Sequence, residues 1–322
     1  MLKILICGAT GFIGRNLVNY FSSNPDYHIF AVHNKRKPFD VESSANQITW
    51  VKADLRKSDD VLKVVNNMDV VIQAAATTSG AKDIISKPYI HVTDNALMNS
   101  LLLRQAMESK VKHFIFFSCS VMYQSNEKAL KESDWDPTKE INSKYFGVAN
   151  TKIYIEKMLE FYSKISSMKT TAIRHSNIYG PFDKYDLEKS HVLGATITKV
   201  MTAKNEITVW GSGDEKRDVL HVDDLMNFVK LCINNQTKKF QLYNCGSGES
   251  ISIKSLVSII IEESGKDIKI KHDLTKPSIK TNFCLDCSLA KKELNWNPTI
   301  KLSEGISKTI TWWSDNIDPM TI

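Results

Sequence analysis

Gly8-Ala9-Thr10-Gly11-Phe12-Ile13-Gly14 follows directly on the apolar run Leu2 to Cys7 and precedes an amphipathic stretch from Asn16 to Phe21. The order is a short buried strand, a tight glycine turn and a helix. Glycines lack Cβ, so backbone amides can approach a pyrophosphate, and the helix N-terminus adds partial positive charge. The spacing predicts a dinucleotide site on Gly8, Thr10, Gly11, Phe12, Ile13 and Gly14, in the strand–turn–helix context such a motif needs. The alternative is a glycine-rich turn that binds nothing.

The alternation continues. Strands are expected over 27–33, 48–52, 70–75, 112–118 and 170–174, and helices over 95–109 and 141–163. Such alternation argues for an α/β fold with a doubly wound parallel sheet, its ligand at the carboxyl ends of the strands. After Gly180-Pro181 the pattern loosens into short helices and strands. Two domains are therefore expected, 1–175 for the dinucleotide and 176–322 for the substrate, with a soft and partly interleaved boundary.

Composition narrows the class. The 322 residues are 42% hydrophobic and 24% charged, as in ordinary soluble enzymes. The net charge of +6 is scattered, and the only tight basic run is Lys35-Arg36-Lys37. That suits a phosphate-bearing small molecule rather than a nucleic acid. No apolar run approaches the ~18 residues of a membrane span, and no leader precedes the first strand, so a cytoplasmic location and no membrane partner are expected. The cysteines at 7, 119, 232, 245, 284 and 287 are expected to be reduced. Cys284-Leu285-Asp286-Cys287 has no second pair or histidine cluster to complete a metal site, so no metal is expected.

Several further segments, in this order, carry a resemblance. They are Ala53-Asp54-Leu55, Ala74-Ala75-Ala76, Asn95 opening a long helix, Thr151-Lys152 with Glu156, and Arg174-His175-Ser176-Asn177-Ile178-Tyr179-Gly180-Pro181. Then come Arg217-Asp218-Val219-Leu220-His221-Val222-Asp223-Asp224, Asn244-Cys245-Gly246, and Asp286-Cys287-Ser288 leading to Leu294-Asn295-Trp296-Asn297-Pro298. Across nearly its whole length the chain resembles the extended short-chain dehydrogenase/reductases, the NAD-dependent epimerase/dehydratase family. Gly180 to Asp186 running to Ser190-His191-Val192, and Val209-Trp210-Gly211-Ser212-Gly213 with Arg217, are similar to the GDP-fucose synthase branch. The resemblance implies a Rossmann-type sheet with a smaller α/β substrate-binding domain and a homodimer through the helices at 95–109 and 141–163. It also implies a nucleotide diphosphate sugar as substrate, a GDP-sugar above others.

By the same resemblance, Asn177, His191, Val192, Trp210 and Arg217 line the sugar nucleotide. Arg217 would hold its pyrophosphate, a guanidinium fork being suited to phosphate oxygens; an ion pair with Asp218 or Asp224 is the alternative. His191 would be an acid near the sugar ring, or else a structural histidine. Asp54 and Leu55 would bracket the adenine, with Ala74, Ala75, Ala76 and Asn95 along the dinucleotide. At the end of the second strand, Asn34, Lys35 and Arg36 stand where dinucleotide folds selective for NAD place a carboxylate. Lys35 and Arg36, helped by Arg15, can neutralise a 2′-phosphate, which favours NADP(H) and leaves NAD(H) possible.

Family chemistry uses a tyrosine made more acidic by a lysine four residues later, with a hydroxyl beside it. Lys152 fits the lysine, but Val148 occupies the tyrosine position. The hydroxyl position is Cys119, flanked by Ser118 and Ser120, and Val121 replaces the dehydratase glutamate or epimerising cysteine. Tyr145, seven residues before Lys152, shares its face if the helix reaches back, ~10 Å along the axis rather than ~6 Å. Otherwise it packs at the helix start, and the proton comes from His191, a substrate hydroxyl or water. Lys152 without a tyrosine still binds the nicotinamide ribose. The expected activity is reduction of a GDP-4-ketosugar at C4. A 4-epimerase or dehydrogenase with captive NAD, and a catalytically silent relative that binds NADP(H), are the alternatives.

Overall fold

A computed structural model describes residues 1–41, 48–77, 87, 89–187, 190–275 and 282–318. Seven strands form one parallel sheet. They are β1 (Leu2–Cys7), β2 (Tyr27–His33), β3 (Ile48–Lys52), β4 (Val70–Gln73), β5 (His113–Phe117), β6 (Lys169–His175) and, far along the chain, β11 (Phe240–Cys245). Their order is β11-β6-β5-β4-β1-β2-β3, so the chain reverses direction across the sheet between β1 and β4. A crevice opens at such a switch point, outside the carboxyl ends of the strands.

Successive side chains of a strand point to opposite faces, and β1 divides its residues accordingly. Ile4 and Ile6 join the core under α1 (Phe12–Ser22) and α6 (Val222–Asn235), whereas Leu5 and Cys7 join the core on the other face. That second core is closed by α2 (Ser58–Val65), α3 (Tyr89–Glu108) and α4 (Phe146–Ile165). A separate core forms in the C-terminal part, where α5 (Val192–Thr202), β8 (Glu206–Trp210), α7 (Ile253–Ser264) and α9 (Leu302–Asn316) meet around Ile197, Leu256 and Ile306. Short β7 (Asn177–Tyr179) pairs with β10 (Val219–His221), and β9 (Lys216–Arg217) pairs with β12 (Ile251–Ser252). The remaining elements are β13 (Lys269–Asp273), beside β8, and α8 (Ser288–Leu294). Although β11 lies beyond residue 175, it extends the dinucleotide-side sheet, and α6 packs on α1.

Several bounds depart from expectation. The long helix expected to open at Asn95 begins at Tyr89, which places Asn95 inside it. The fourth strand ends at Gln73 rather than 75, where the Gln73 side chain accepts the Ala75 amide at 3.1 Å and the ladder stops. The helix expected from 141 starts at Phe146. The Asn142 side chain accepts the Lys144 amide at 3.1 Å and holds Ser143–Tyr145 as a single 3-10 turn, leaving Tyr145 as the cap residue with φ −105° and ψ 0°. Among the described residues, no helix is long and apolar enough to cross a membrane, and no three His, Cys, Asp or Glu side chains are grouped to hold a metal. The six cysteines are unbonded to one another.

Candidate active site

The glycine turn is built for close approach. Gly8 has φ +74°, and a Cβ there would lie 2.6 Å from Ala75 Cα; a Cβ on Gly14 would lie 2.0 Å from the Gly8 carbonyl oxygen. Only glycine lets α1 start directly over the end of β1. Its N-cap is Gly11, which has no side chain to accept the first-turn amides. Those amides therefore face the crevice as unsatisfied donors, a cradle that fits a dinucleotide pyrophosphate.

Around this turn the expected cofactor residues line the strand ends. Asn34, Lys35 and Arg36 are exposed just after β2, and Arg36 Nη1 donates to the Thr10 carbonyl at 3.4 Å, bringing its charge back over the turn. Ala74, Ala75 and Ala76 follow β4. Asp54 and Leu55 follow β3, with Leu55 buried. The Asp54 carboxylate is gripped by the Arg56 side chain at 2.9 Å through Nε and Nη2, which lowers its pKa to about 2. Asp54 thus stays ionised, with Arg56 already occupying part of its accepting capacity.

Two expectations change here. Asn95 turns its amide onto the backbone, taking the Thr77 amide at 2.9 Å and donating to the carbonyls of Thr77 (3.1 Å) and His91 (2.6 Å). It fixes the chain beyond β4, and its reach toward the dinucleotide is indirect. The Arg15 guanidinium lies over the rings of Phe39 and Phe182, 4.3 Å and 4.2 Å from their centroids, rather than open to a phosphate alone.

At the other end of the crevice, Lys152 projects from α4 and donates to the Phe117 carbonyl at 2.6 Å, with its ammonium 4.5 Å from the Phe116 ring centroid. Burial lowers its pKa, against the opposing pull of Cys119 and Glu156. Burial raises the Cys119 thiol, against the Lys152 charge. Cys119 and Lys152 are thus close enough for each to act electrostatically on the other. Ser118 cannot supply the family hydroxyl, because its Oγ is buried and donates to Glu156 Oε1 at 2.5 Å. Ser120, also buried, remains the neighbouring hydroxyl.

Tyr145 lies outside the helix yet faces the same region. Burial raises its phenol, Arg217 opposes that rise, and Cys119 adds to it. Arg217, on β9, donates to the Lys216 carbonyl at 2.7 Å, and burial lowers its pKa against the pull of Tyr145 and Glu215. The suggested partners for Arg217 are engaged elsewhere. Asp218 accepts from Ser247 and Leu285, and Asp224 from Thr299 and Ile300.

His191 caps α5 just before Val192 and keeps one side open to solvent, while burial and Lys184 lower its pKa. Asn177 opens β7 and donates to the Asp218 carbonyl at 2.9 Å. Trp210 stands exposed at the end of β8 with the Lys199 ammonium 5.8 Å over its ring. His175 lies within the Arg174-to-Pro181 segment, where spacing gives it no role; it is the last residue of β6, and its ring meets that of Phe117 with centroids 6.2 Å apart. Its position at a strand's carboxyl end is the signal that could have singled it out.

Beneath the thiol and ammonium lies a buried polar network. Arg174 pairs with Glu156 through two bonds, 3.0 Å from Nε and 2.7 Å from Nη2, with both side chains at most 5% exposed. Burial opposes the guanidinium charge, but Glu156 outweighs it and holds the Arg174 pKa above its ordinary value. Arg174 also donates to Tyr123 Oη at 3.0 Å, and Tyr123 donates to Asn244 Oδ1 at 2.8 Å. Asn244 in turn donates to the carbonyls of Leu130 and Asp286.

Comparison with known proteins agrees with this fold. Residues 4–246 match the NAD dependent epimerase/dehydratase family. The chain is 28% identical to the GDP-L-colitose synthase of Yersinia pseudotuberculosis over 97% of its own length and 98% of that protein's. It is 29% identical to GDP-L-fucose synthase 1 of Arabidopsis thaliana over 84% of each. Among solved structures, MoeE5 in complex with UDP-glucuronic acid and NAD superposes with a TM-score of 0.84 at 21% identity, over 98% of this chain and all of that one.

The network makes a sharp expectation about stability. Arg174→Met leaves Glu156 buried and unpaired, and should cost about 3–5 kcal/mol in urea unfolding. Arg174→Met combined with Glu156→Leu should recover a substantial part of that loss, since no lone charge remains.

Proposed function

Because the chain belongs to the NAD dependent epimerase/dehydratase family, we propose that it is an NADP(H)-linked nucleotide-sugar oxidoreductase that reduces a GDP-4-ketosugar at C4. The observation that carries this reading is a glycine turn with no room for a Cβ at the end of β1, together with a Lys152 ammonium held by the Phe117 carbonyl at the end of β5, on a chain whose residues 4–246 match the family. GDP-sugar enzymes among the curated relatives support the guanosine form.

The dinucleotide supplies a hydride when bound. The chain's own residues hold and orient the reactants. First-turn amides of α1 take the pyrophosphate, Arg36 lies beside the 2′-phosphate, and the Lys152 ammonium holds the nicotinamide ribose. Arg217 holds the sugar diphosphate, with Tyr145 and Asn177 flanking it, and Val192 and Trp210 line the sugar nucleotide. Cys119 and Ser120 stand at the reacting carbon in place of the family hydroxyl, and His191 lies near the sugar ring. One observation favours a second reading, a silent relative that binds NADP(H): Val148 stands where a proton-carrying tyrosine is expected. The reactive form is also proposed to be a homodimer. Tyr154, Phe161 and Ile165 leave large apolar side chains exposed along α4, beside Leu97 on α3, and a second copy of the same helix pair would cover them.

Turnover separates these readings. Purified protein given NADPH and GDP-4-keto-6-deoxymannose should consume the absorbance at 340 nm, and Lys152→Ala should lower that rate about 10²-fold through misplacement of the ribose. A silent relative would show no turnover. Denaturing the protein should release little nucleotide or NADP(H); stoichiometric NAD would point to a self-recycling epimerase.

Arg36→Ala should reduce the preference for NADPH over NADH by about tenfold or more, since a charged hydrogen bond is worth about 1.5–3 kcal/mol. Sedimentation should give a dimer that Tyr154→Glu with Phe161→Glu splits into monomers.

A further inference from the structure

We propose that His175 is the group that delivers the proton to the sugar oxygen, in place of the absent tyrosine; the inference rests on the C4-reductase reading above. Its placement comes from the sheet. β5 and β6 are neighbours, Phe117 pairs with Ile173, and the chain beyond each strand emerges at the same carboxyl edge. Phe117 gives its carbonyl to Lys152, and its ring meets the His175 ring edge-on with centroids 6.2 Å apart. The imidazole therefore stands at the same strand ends as the ammonium proposed to hold the nicotinamide ribose.

Its tautomer follows from its partner. Nδ1 lies 2.8 Å from the Ser176 carbonyl, which can only accept, so Nδ1 carries the hydrogen and Nε2 is the atom that exchanges a proton. The charged groups facing the ring are Lys152 from α4 and His191 from the segment before α5. Burial first, then those two neighbours, lowers its pKa to about 4. At neutral pH the ring is therefore almost wholly neutral, and the imidazolium that donates is a minor but stronger acid, so proton delivery should quicken as pH falls toward 4.

Tyr145 stands outside α4 as its cap residue, whereas His175 ends the strand beside the one whose carbonyl holds Lys152.

The step balances. The C4 carbonyl carbon of the sugar accepts a hydride, two electrons and one hydrogen nucleus, from the dihydronicotinamide. The C=O π bond breaks toward oxygen as the new C–H bond forms. That oxygen takes the Nε2 proton, leaving a secondary alcohol, an oxidised nicotinamide and a neutral imidazole that solvent reprotonates. In the reverse direction the neutral ring receives the proton.

The experiment separates proton transfer from packing. His175→Asn keeps an amide hydrogen for the Ser176 carbonyl but lacks a second ring nitrogen. With NADPH and GDP-4-keto-6-deoxymannose, its kcat should fall about 10²–10⁴-fold. NADPH binding, followed by nucleotide fluorescence, should be unchanged. His175→Ala should regain part of its rate when imidazole is added. Near-normal turnover in His175→Asn would overturn the role. So would loss of NADPH binding together with turnover, or the absence of imidazole rescue in a folded His175→Ala. The wild-type chain is assayed first: if it fails to reduce the ketosugar, the C4-reductase reading falls and the His175 role with it. An active wild type with an equally active His175→Asn removes the His175 role alone.

Discussion

The buried pair of Arg174 and Glu156 is the constraint on which the site depends. Two ions out of water are costly, and their attraction offsets that cost only with good geometry and further bonds to their remaining donors and acceptors. Here the guanidinium meets the carboxylate through two bonds, and the spare valences go to Ser118, Tyr123 and the Glu132 carbonyl. Four pieces of chain are thereby fixed together: α4, the end of β6, the segment after β5 and, through Asn244, the end of β11. Lys152 stands one helical turn before Glu156, and the carbonyl it binds belongs to the residue before Ser118. Its position is set from both sides by the same ion pair.

Much of this was legible along the chain because it is written in short-range pattern. A run of apolar residues ended by glycines gives β1 and its turn. Strict alternation in β1 sends Ile4 and Ile6 to one core and Leu5 and Cys7 to the other. The carboxyl ends of these strands hold the residues that motif spacing assigns to the dinucleotide, from Gly8 to Lys152. What spacing could not give is where side chains turn once the chain is folded. Asn95 looks like a ligand-facing amide but spends both its atoms on backbone groups. Arg15 looks like a phosphate-binding charge but lies over rings from residues 39 and 182, one of them distant in sequence. Asn142 delays the start of the expected helix by a single side-chain bond, which no hydrophobic period reveals.

Val148 shows the same limit from the opposite side. Spacing alone finds the missing phenol but says nothing of what surrounds the gap. At the ends of β5 and β6 the fold brings the Lys152 ammonium to the Phe117 carbonyl and the His175 ring to the Phe117 ring, elements that meet only in three dimensions.

The contact between α1 and the segment after β7 has an energetic consequence of its own. Asn16 donates to the Pro181 carbonyl at 2.9 Å, and Arg15 grips the next residue, Phe182, which holds φ +69° and meets Trp312 of α9 at 4.9 Å. The helix whose first turn faces a phosphate is thus fastened to the lobe whose core is built around α9. Whatever free energy one ligand spends on ordering that fastening need not be spent again by the other. Under the proposed function, any preference of one ligand for this fastened arrangement is reciprocated in the affinity of the other, since linkage holds both ways.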